Sequence, residues 1–316
     1  MIQSAPVSGE ISLPLALTMG EPAGISGEIS LKAWLKRDVL ETTFFLIDDP
    51  NRLAKLSHNL GLDVPIETID IPSQATNVFH LGLPVLPLDS SVRSNLGIPS
   101  VDTAEAVIES IEKAVRLTQS GDAAGVVTNP IQKEVLYDAG FAHPGHTEYL
   151  AELAGLKFSP IMMLAGEHLR VIPVTIHISL RQALEQLKTS EIIRATQVTY
   201  QALKNEFGIS QPRIAVAALN PHAGEGGTMG NEEKTIIQPA ITSLLNQGIE
   251  VLGPLPPDTL FSPQQRQTYD AAICMYHDQA LIPIKALEFD QAVNVTLGLP
   301  FVRTSPDHGT ALDIAN

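Results

Sequence analysis

Short apolar runs alternate along the chain with longer stretches whose apolar positions recur at helical spacing. Runs such as LPLALTM (13–19), TFFLID (43–48), AAGVVTN (123–129), PIMMLAG (160–166), LRVIPVTIH (169–177), RIAVAALN (213–220) and DAAICMYH (270–277) predict buried strands. Between them, TAEAVIESIEKAVRLTQSG (103–121) and NEEKTIIQPAITSLLNQG (231–248) predict amphipathic helices, each stopped by a glycine. In the second, Asn231 is the expected N-cap, with two acids in the first turn. This alternation implies βαβ units, an α/β fold and a largely parallel sheet. At about 150 residues per domain, 316 residues suggest two domains. No Gly/Ser-rich linker separates them, so two domains joined by crossing strands and sharing a cleft are expected.

The polar residues at the strand ends carry the candidate chemistry. His177, His222 and His277 each stand at the carboxyl end of a predicted strand, where parallel α/β sheets bind ligands. Three imidazoles there would make a metal site with open positions; three hydrogen-bonded structural histidines are the plainer reading, and both stand. The cluster Gly224, Gly226, Gly227 and Gly230 spells GxGxxxG, one residue too long for the dinucleotide fingerprint. The acids that follow would also repel a phosphate. A tight strand-to-helix turn using positive φ is the alternative. PGHTEYLAELAG (144–155) opens a helix with His146 and Thr147 at its N-terminus, suited either to an anion or to plain capping by Thr147. Lys285 and Arg303 are isolated cations in apolar surroundings, either solvated or set to bind an anion.

Composition narrows the partners. A hydrophobic fraction of 44% against 17% charged residues supplies a core. A net charge of −15 argues against nucleic acid and anionic membranes, and an anionic substrate would need a local basic pocket. The single cysteine, Cys274, permits no intrachain disulfide. The first residues do not read as a signal peptide, and no run approaches the roughly 18 apolar residues of a membrane span, so a cytoplasmic protein is expected.

Together the stretches TMGEPAGISGEI, VVTNPIQK, PGHTEYLAELAG, LNPHAGEGGTMGNEE, GPLPPDTLF, MYHDQALIPIKAL and VNVTLGLPFVRTSPDHGTALD resemble the 4-hydroxythreonine-4-phosphate dehydrogenase (PdxA) family, from residue 18 to residue 313. The resemblance implies two α/β/α domains flanking a cleft, as in isocitrate and isopropylmalate dehydrogenases, and a homodimer. The first domain would comprise 1–130 plus 279–316 on the cofactor side, and the second 131–278 on the metal and dimer side. It implies oxidation of 4-phosphooxy-L-threonine by NAD or NADP, with loss of CO2 from the keto acid, in pyridoxal phosphate biosynthesis. A divalent metal (Zn, Mg or Co) would be held by His177, His222 and His277, with ligands drawn from both subunits. Substrate-binding positions fall on His146, Thr147, Lys285, Asn294 and Arg303. DHGTALDIA resembles an adenosine-binding loop, which puts the cofactor near His308, Gly309, Thr310 and Asp313. Lys285 would protonate or stabilise the enolate, Asp278 would orient a metal ligand, and Asp258 would line the site. The chain departs from the family at Ser26-Gly27, where Gly-Pro is usual, and relatives usually continue beyond its last residues, ALDIAN.

Other readings are the same chemistry on 4-phospho-D-threonate or 4-phospho-D-erythronate, a three-histidine metal hydrolase, a phosphate acyltransferase, and a non-catalytic metabolite-binding protein.

Overall fold

The computed structural model describes residues 13–315. Most of the residues behind the signal-peptide expectation lie outside that range. The strands are β1 Leu15–Thr18, β2 Phe44–Asp48, β3 Ile66–Thr68, β4 Leu83–Pro87, β5 Val126–Val127, β6 Ile161–Ala165, β7 Arg170–Pro173, β8 Ile214–Ala217, β9 Val251–Leu255, β10 Ala271–Cys274, β11 Val293–Leu297 and β12 Arg303–Ser305. The longer helices are α1 Ser26–Leu35, α2 Pro50–Asn59, α3 Ala104–Gln119, α4 His146–Leu153, α5 Thr189–Asn205, α6 Gln238–Asn246 and α7 His277–Glu288.

The chain divides into two compact units, residues 1–157 with 300–316, and residues 158–299. These bounds differ from the expected ones at 130/131 and 278/279. Residues 131–157 stay with the first unit because α4 packs on α3, where Tyr149 Oη donates to Glu112 Oε1 at 2.6 Å. Residues 279–299 belong to the second because α7 packs on β7 and β10, and β11 pairs with β6.

In the first unit the strands run β3-β4-β2-β1-β5-β12, all parallel. Every residue of β2 is buried, which is why TFFLID reads as an unbroken apolar run. The buried side of α3 (Val107, Ser110, Ile111, Ala114) follows helical spacing. Ser110 locks it to the sheet: its Oγ donates to Ile47 O and accepts from Met19 N, each at 2.8 Å.

The second unit orders its strands β11-β6-β7-β10-β8-β9. β7, β10, β8 and β9 are parallel, whereas β6 is antiparallel to both β7 and β11. Only residues 166–169 join β6 to β7, too few for the crossover that parallel pairing requires. The expected helix over 231–248 begins instead as a π-helical turn, Glu233–Ile237, before α6. Pro239 lacks the N–H that a regular turn would use there. Asn231 does not cap through its side chain; its carbonyl accepts from the N–H of Lys234 and of Thr235. Among the described residues, no helix is long and apolar enough to cross a membrane.

Candidate active site

In the second unit, parallel pairing delivers two of the expected histidines to one place. Beyond β7 the chain keeps following β10: Val174 N donates to Cys274 O at 2.8 Å, and Thr175 Oγ1 to Met275 O at 2.8 Å. His177 therefore arrives beside His277, the first residue of α7, with ring centroids 5.7 Å apart and planes at 48°. Asp278 Oδ1 lies 2.7 Å from His277 Nδ1 and so engages one of the two ring nitrogens. Both imidazoles and Asp278 line a pocket of about 250 Å³ with Ile176, Ile178 and Leu180. A carboxylate behind one of two neighbouring imidazoles suits a divalent metal, so the chemistry of this donor set fits one.

His222 is not gathered with them: among the described residues, no group of three or more His, Cys, Asp or Glu side chains is placed to hold a metal ion. A ligand set drawn from two copies of the chain would not be gathered within one of them, and the backbone at His222 has a conformation of its own. From His222 to Gly226, five successive residues are left-handed, three of them not glycine (His222 φ 51°, Ala223 φ 53°, Glu225 φ 41°). Each such residue costs about 1–2 kcal/mol. Gly224, Gly226, Gly227 and Gly230 all have positive φ, as a tight turn requires. The acids at the start of the helix also hold the base of the turn. Glu233, 5% exposed, accepts from Leu219 N and Asn220 N (2.9 and 2.7 Å) and from Asn220 Nδ2 at 3.0 Å, and Glu232 accepts from the same amide at 2.8 Å. Burial alone would raise the Glu233 pKa, but the hydrogen bonds from Asn220 and the neighbouring backbone pull it below the ordinary value.

Gln279, not singled out from the sequence, ties these strand ends together. It is buried, donates to Ala218 O at 2.7 Å beyond β8 and accepts from Met275 N at 2.6 Å beyond β10. Its place two residues after His277 in MYHDQ is the only sequence signal. Lys285 follows His277 by two helical turns, with Nζ 5.9 Å from the Phe289 ring centre. Asn294 pairs with Leu164 across β11 and β6, and its Oδ1 is buried without a hydrogen-bond partner. Asp258 is exposed.

In the first unit, β12 places Arg303 beside the end of β5. The side chain is 3% exposed, with Nε and Nη2 donating to Thr128 Oγ1 at 3.1 and 2.5 Å. Burial lowers its pKa to about 10. His146 is the first residue of α4; Gly145 is the N-cap, without a side-chain cap, so Thr147 is not the capping residue. His146 Nε2 is buried and has no hydrogen-bond partner. Burial first, then the charges of Arg303 and Lys133, lower its pKa to about 3, so the imidazole is neutral.

The 308–313 loop lies on the GEPAGIS segment. Thr310 O accepts from Ile25 N at 3.1 Å, and Thr310 Oγ1 donates to Gln132 Oε1 at 3.3 Å. A Cβ on Gly24 would stand 2.5 Å from Thr310 O, so glycine is needed for this approach. His308 turns its Nδ1 to Gly309 O at 3.0 Å, and Asp313 is exposed. Packing explains Ser26-Gly27: Ser26 is fully buried, and a Cβ on Gly27 would meet Leu56 Cδ2 at 2.6 Å. Glu21, 1% exposed, accepts from Ala23 N at 3.0 Å; its pKa is raised by burial despite that bond and the nearby Arg52 charge.

Polar side chains at the carboxyl ends of parallel strands, with two imidazoles in one unit and the buried cation Arg303 in the other, define an α/β enzyme for small anionic metabolites. The family model for the pyridoxal phosphate biosynthetic protein PdxA matches residues 41–316. A 4-hydroxythreonine-4-phosphate dehydrogenase from Bradyrhizobium diazoefficiens is 51% identical over 314 residues, 96% of this chain and 91% of that protein. One from Methylorubrum populi is 51% identical over 309 residues, 96% of this chain and 88% of that protein. The crystal structure of 4-hydroxythreonine-4-phosphate dehydrogenase from Klebsiella pneumoniae superposes with a TM-score of 0.86 at 38% identity, covering 96% of this chain and 93% of that one. The chain belongs to the PdxA family.

Proposed function

We propose that the protein is an NAD(P)-dependent dehydrogenase that oxidises 4-phosphooxy-L-threonine, acting as a homodimer with a divalent metal. The observation that carries this reading is the 51% identity to a dehydrogenase of that name over 96% of the chain. The same geometry suits 4-phospho-D-threonate or 4-phospho-D-erythronate, which differ from it at the carbon bearing nitrogen.

In the second unit, His177 and His277 would hold the metal, and Asp278 would keep His277 in the tautomer that binds it. His222 would supply the third ligand, with the set drawn from two copies of the chain. When bound, such an ion lowers the pKa of a coordinated hydroxyl and polarises the carbonyl that forms. Nicotinamide supplies the hydride acceptor. The left-handed turn at His222 and the Gln279 bridge would hold the strand ends in register.

Lys285 would deliver a proton to the carbon that loses CO2, and Asn294, with its buried unpartnered Oδ1, would bind a donor group of the substrate. In the first unit, Arg303, neutral His146 and the N–H groups of His146 and Thr147 would hold its anionic groups. The loop at His308, Gly309, Thr310 and Asp313 would take the adenosine end of the cofactor.

The test is to compare kcat/KM for the three phosphorylated hydroxy acids with NAD and with NADP, following the NADH band. Preference for 4-phosphooxy-L-threonine is expected. Preference for either sugar-acid phosphate would reassign the substrate, and phosphate ester hydrolysis without reduced nicotinamide would favour a hydrolase.

A further inference from the structure

The start of α4 carries a second cation that nothing above assigns. A Cβ built on Gly145 would lie 3.4 Å from both Cε and Nζ of Lys133, so this ammonium rests against the residue that precedes the helix. Glu148 Oε2 is 3.7 Å from the same point, yet no ion pair joins it to Lys133. The helix has no side-chain cap there, and its first N–H groups point toward the same end. Beside them His146 Nε2 is buried and unpartnered, an arrangement that native proteins resolve with a ligand or water. The imidazole feels both Arg303 and Lys133, and these two charges with burial keep it neutral. Two cations, a helix N-terminus and one buried ring nitrogen would repel a cationic ligand and suit a multiply charged anion.

We infer that Lys133 is a further substrate-binding residue, which with Arg303, His146 and the first N–H groups of α4 forms a cradle for the substrate's phosphoryl group. The assignment rests on the proposed function and deepens it. Lys133 sits in VVTNPIQK, next to Gln132, whose Oε1 accepts from Thr310. The stretch that presents the lysine is thus anchored to the 308–313 loop of the same unit.

The test compares wild-type protein with Lys133→Met and Lys133→Arg. Binding of inorganic phosphate is measured by titration calorimetry near neutral pH, alongside KM and kcat for 4-phosphooxy-L-threonine. Lys133→Met should weaken phosphate binding and raise KM by about tenfold or more, with kcat changed less. Lys133→Arg should recover most of both. Phosphate affinity in Lys133→Met equal to wild type would overturn the assignment, even if wild-type turnover stands. If wild type fails to oxidise the substrate while Lys133→Met loses phosphate, the functional reading falls and the phosphate cradle remains.

Discussion

Acidification should destabilise the first unit through His146. In the folded protein this imidazole stays neutral down to a pKa of about 3, because burial and the nearby Arg303 and Lys133 disfavour its charged form. In the unfolded chain it takes up a proton near the ordinary value of 6.5. Between those two values the unfolded state binds a proton that the folded state refuses, so stability falls as pH drops from about 6.5 toward about 3. At pH about 5 the unfolded-state imidazole is almost fully protonated, and the linkage is worth about 2 kcal/mol; at pH about 7.5 it is worth less than about 0.1 kcal/mol. For a unit of this size, that difference corresponds to about 4–8 °C in Tm. Other groups titrate over the same range, so the measurement is a double difference. Thermal unfolding of wild type and His146→Gln is recorded at both pH values, and the wild type should lose about 4–8 °C more than the variant. The C2–H resonance of His146 should show no titration above pH about 5. Equal pH dependence in the two proteins, or a resonance titrating near 6.5, would refute the reasoning.

Three further outcomes are expected. Arg52→Met leaves the fully buried Asp48 carboxylate without the guanidinium now 3.0 and 2.5 Å away, and should cost about 3–5 kcal/mol in denaturant unfolding; a loss below about 1 kcal/mol would mean that the pair adds little. Because the Glu233 pKa is depressed in the fold, its stabilisation is present above the ordinary 4.5 and is lost as pH falls through the folded pKa. Glu233→Gln should therefore be less stable than wild type near neutral pH, and the gap should close in acid; a gap that does not change with pH would remove its charge from the account. Asp278→Asn should lower divalent metal affinity by about 10–100-fold in competition with a chelator, and unchanged affinity would rule out its orienting role.

The strands buried on both faces were legible because a parallel sheet covered by helices needs unbroken apolar runs, as in TFFLID and AAICMYH. β4 and β9 carry prolines (LPVLP, VLGPL), and β12 has only three residues, RTS, so neither alternation nor length marks them. The antiparallel turn at 166–169 was hidden for a related reason, since the pattern reports burial and not strand direction. His177 and His277 could be read as a pair because both follow neighbouring parallel strands. His222 also ends such a strand, and the five left-handed residues that begin with it are a feature no periodicity encodes. Glu232 and Glu233 read only as first-turn acids; their partner Asn220 lies about a dozen residues upstream and becomes a neighbour only when the turn closes. Lys133 is exposed and reads as one more surface lysine until Gly145 is folded beside it.

The central claim is tested most directly by incubating wild-type protein, loaded with a divalent metal, with 4-phosphooxy-L-threonine and NAD or NADP, and measuring reduced nicotinamide and CO2 together. The account predicts that both appear in equal amounts, that a chelator stops both, and that adding the metal back restores them. Metal-loaded protein that yields neither reduced nicotinamide nor CO2 from this substrate or from the two sugar-acid phosphates would contradict it.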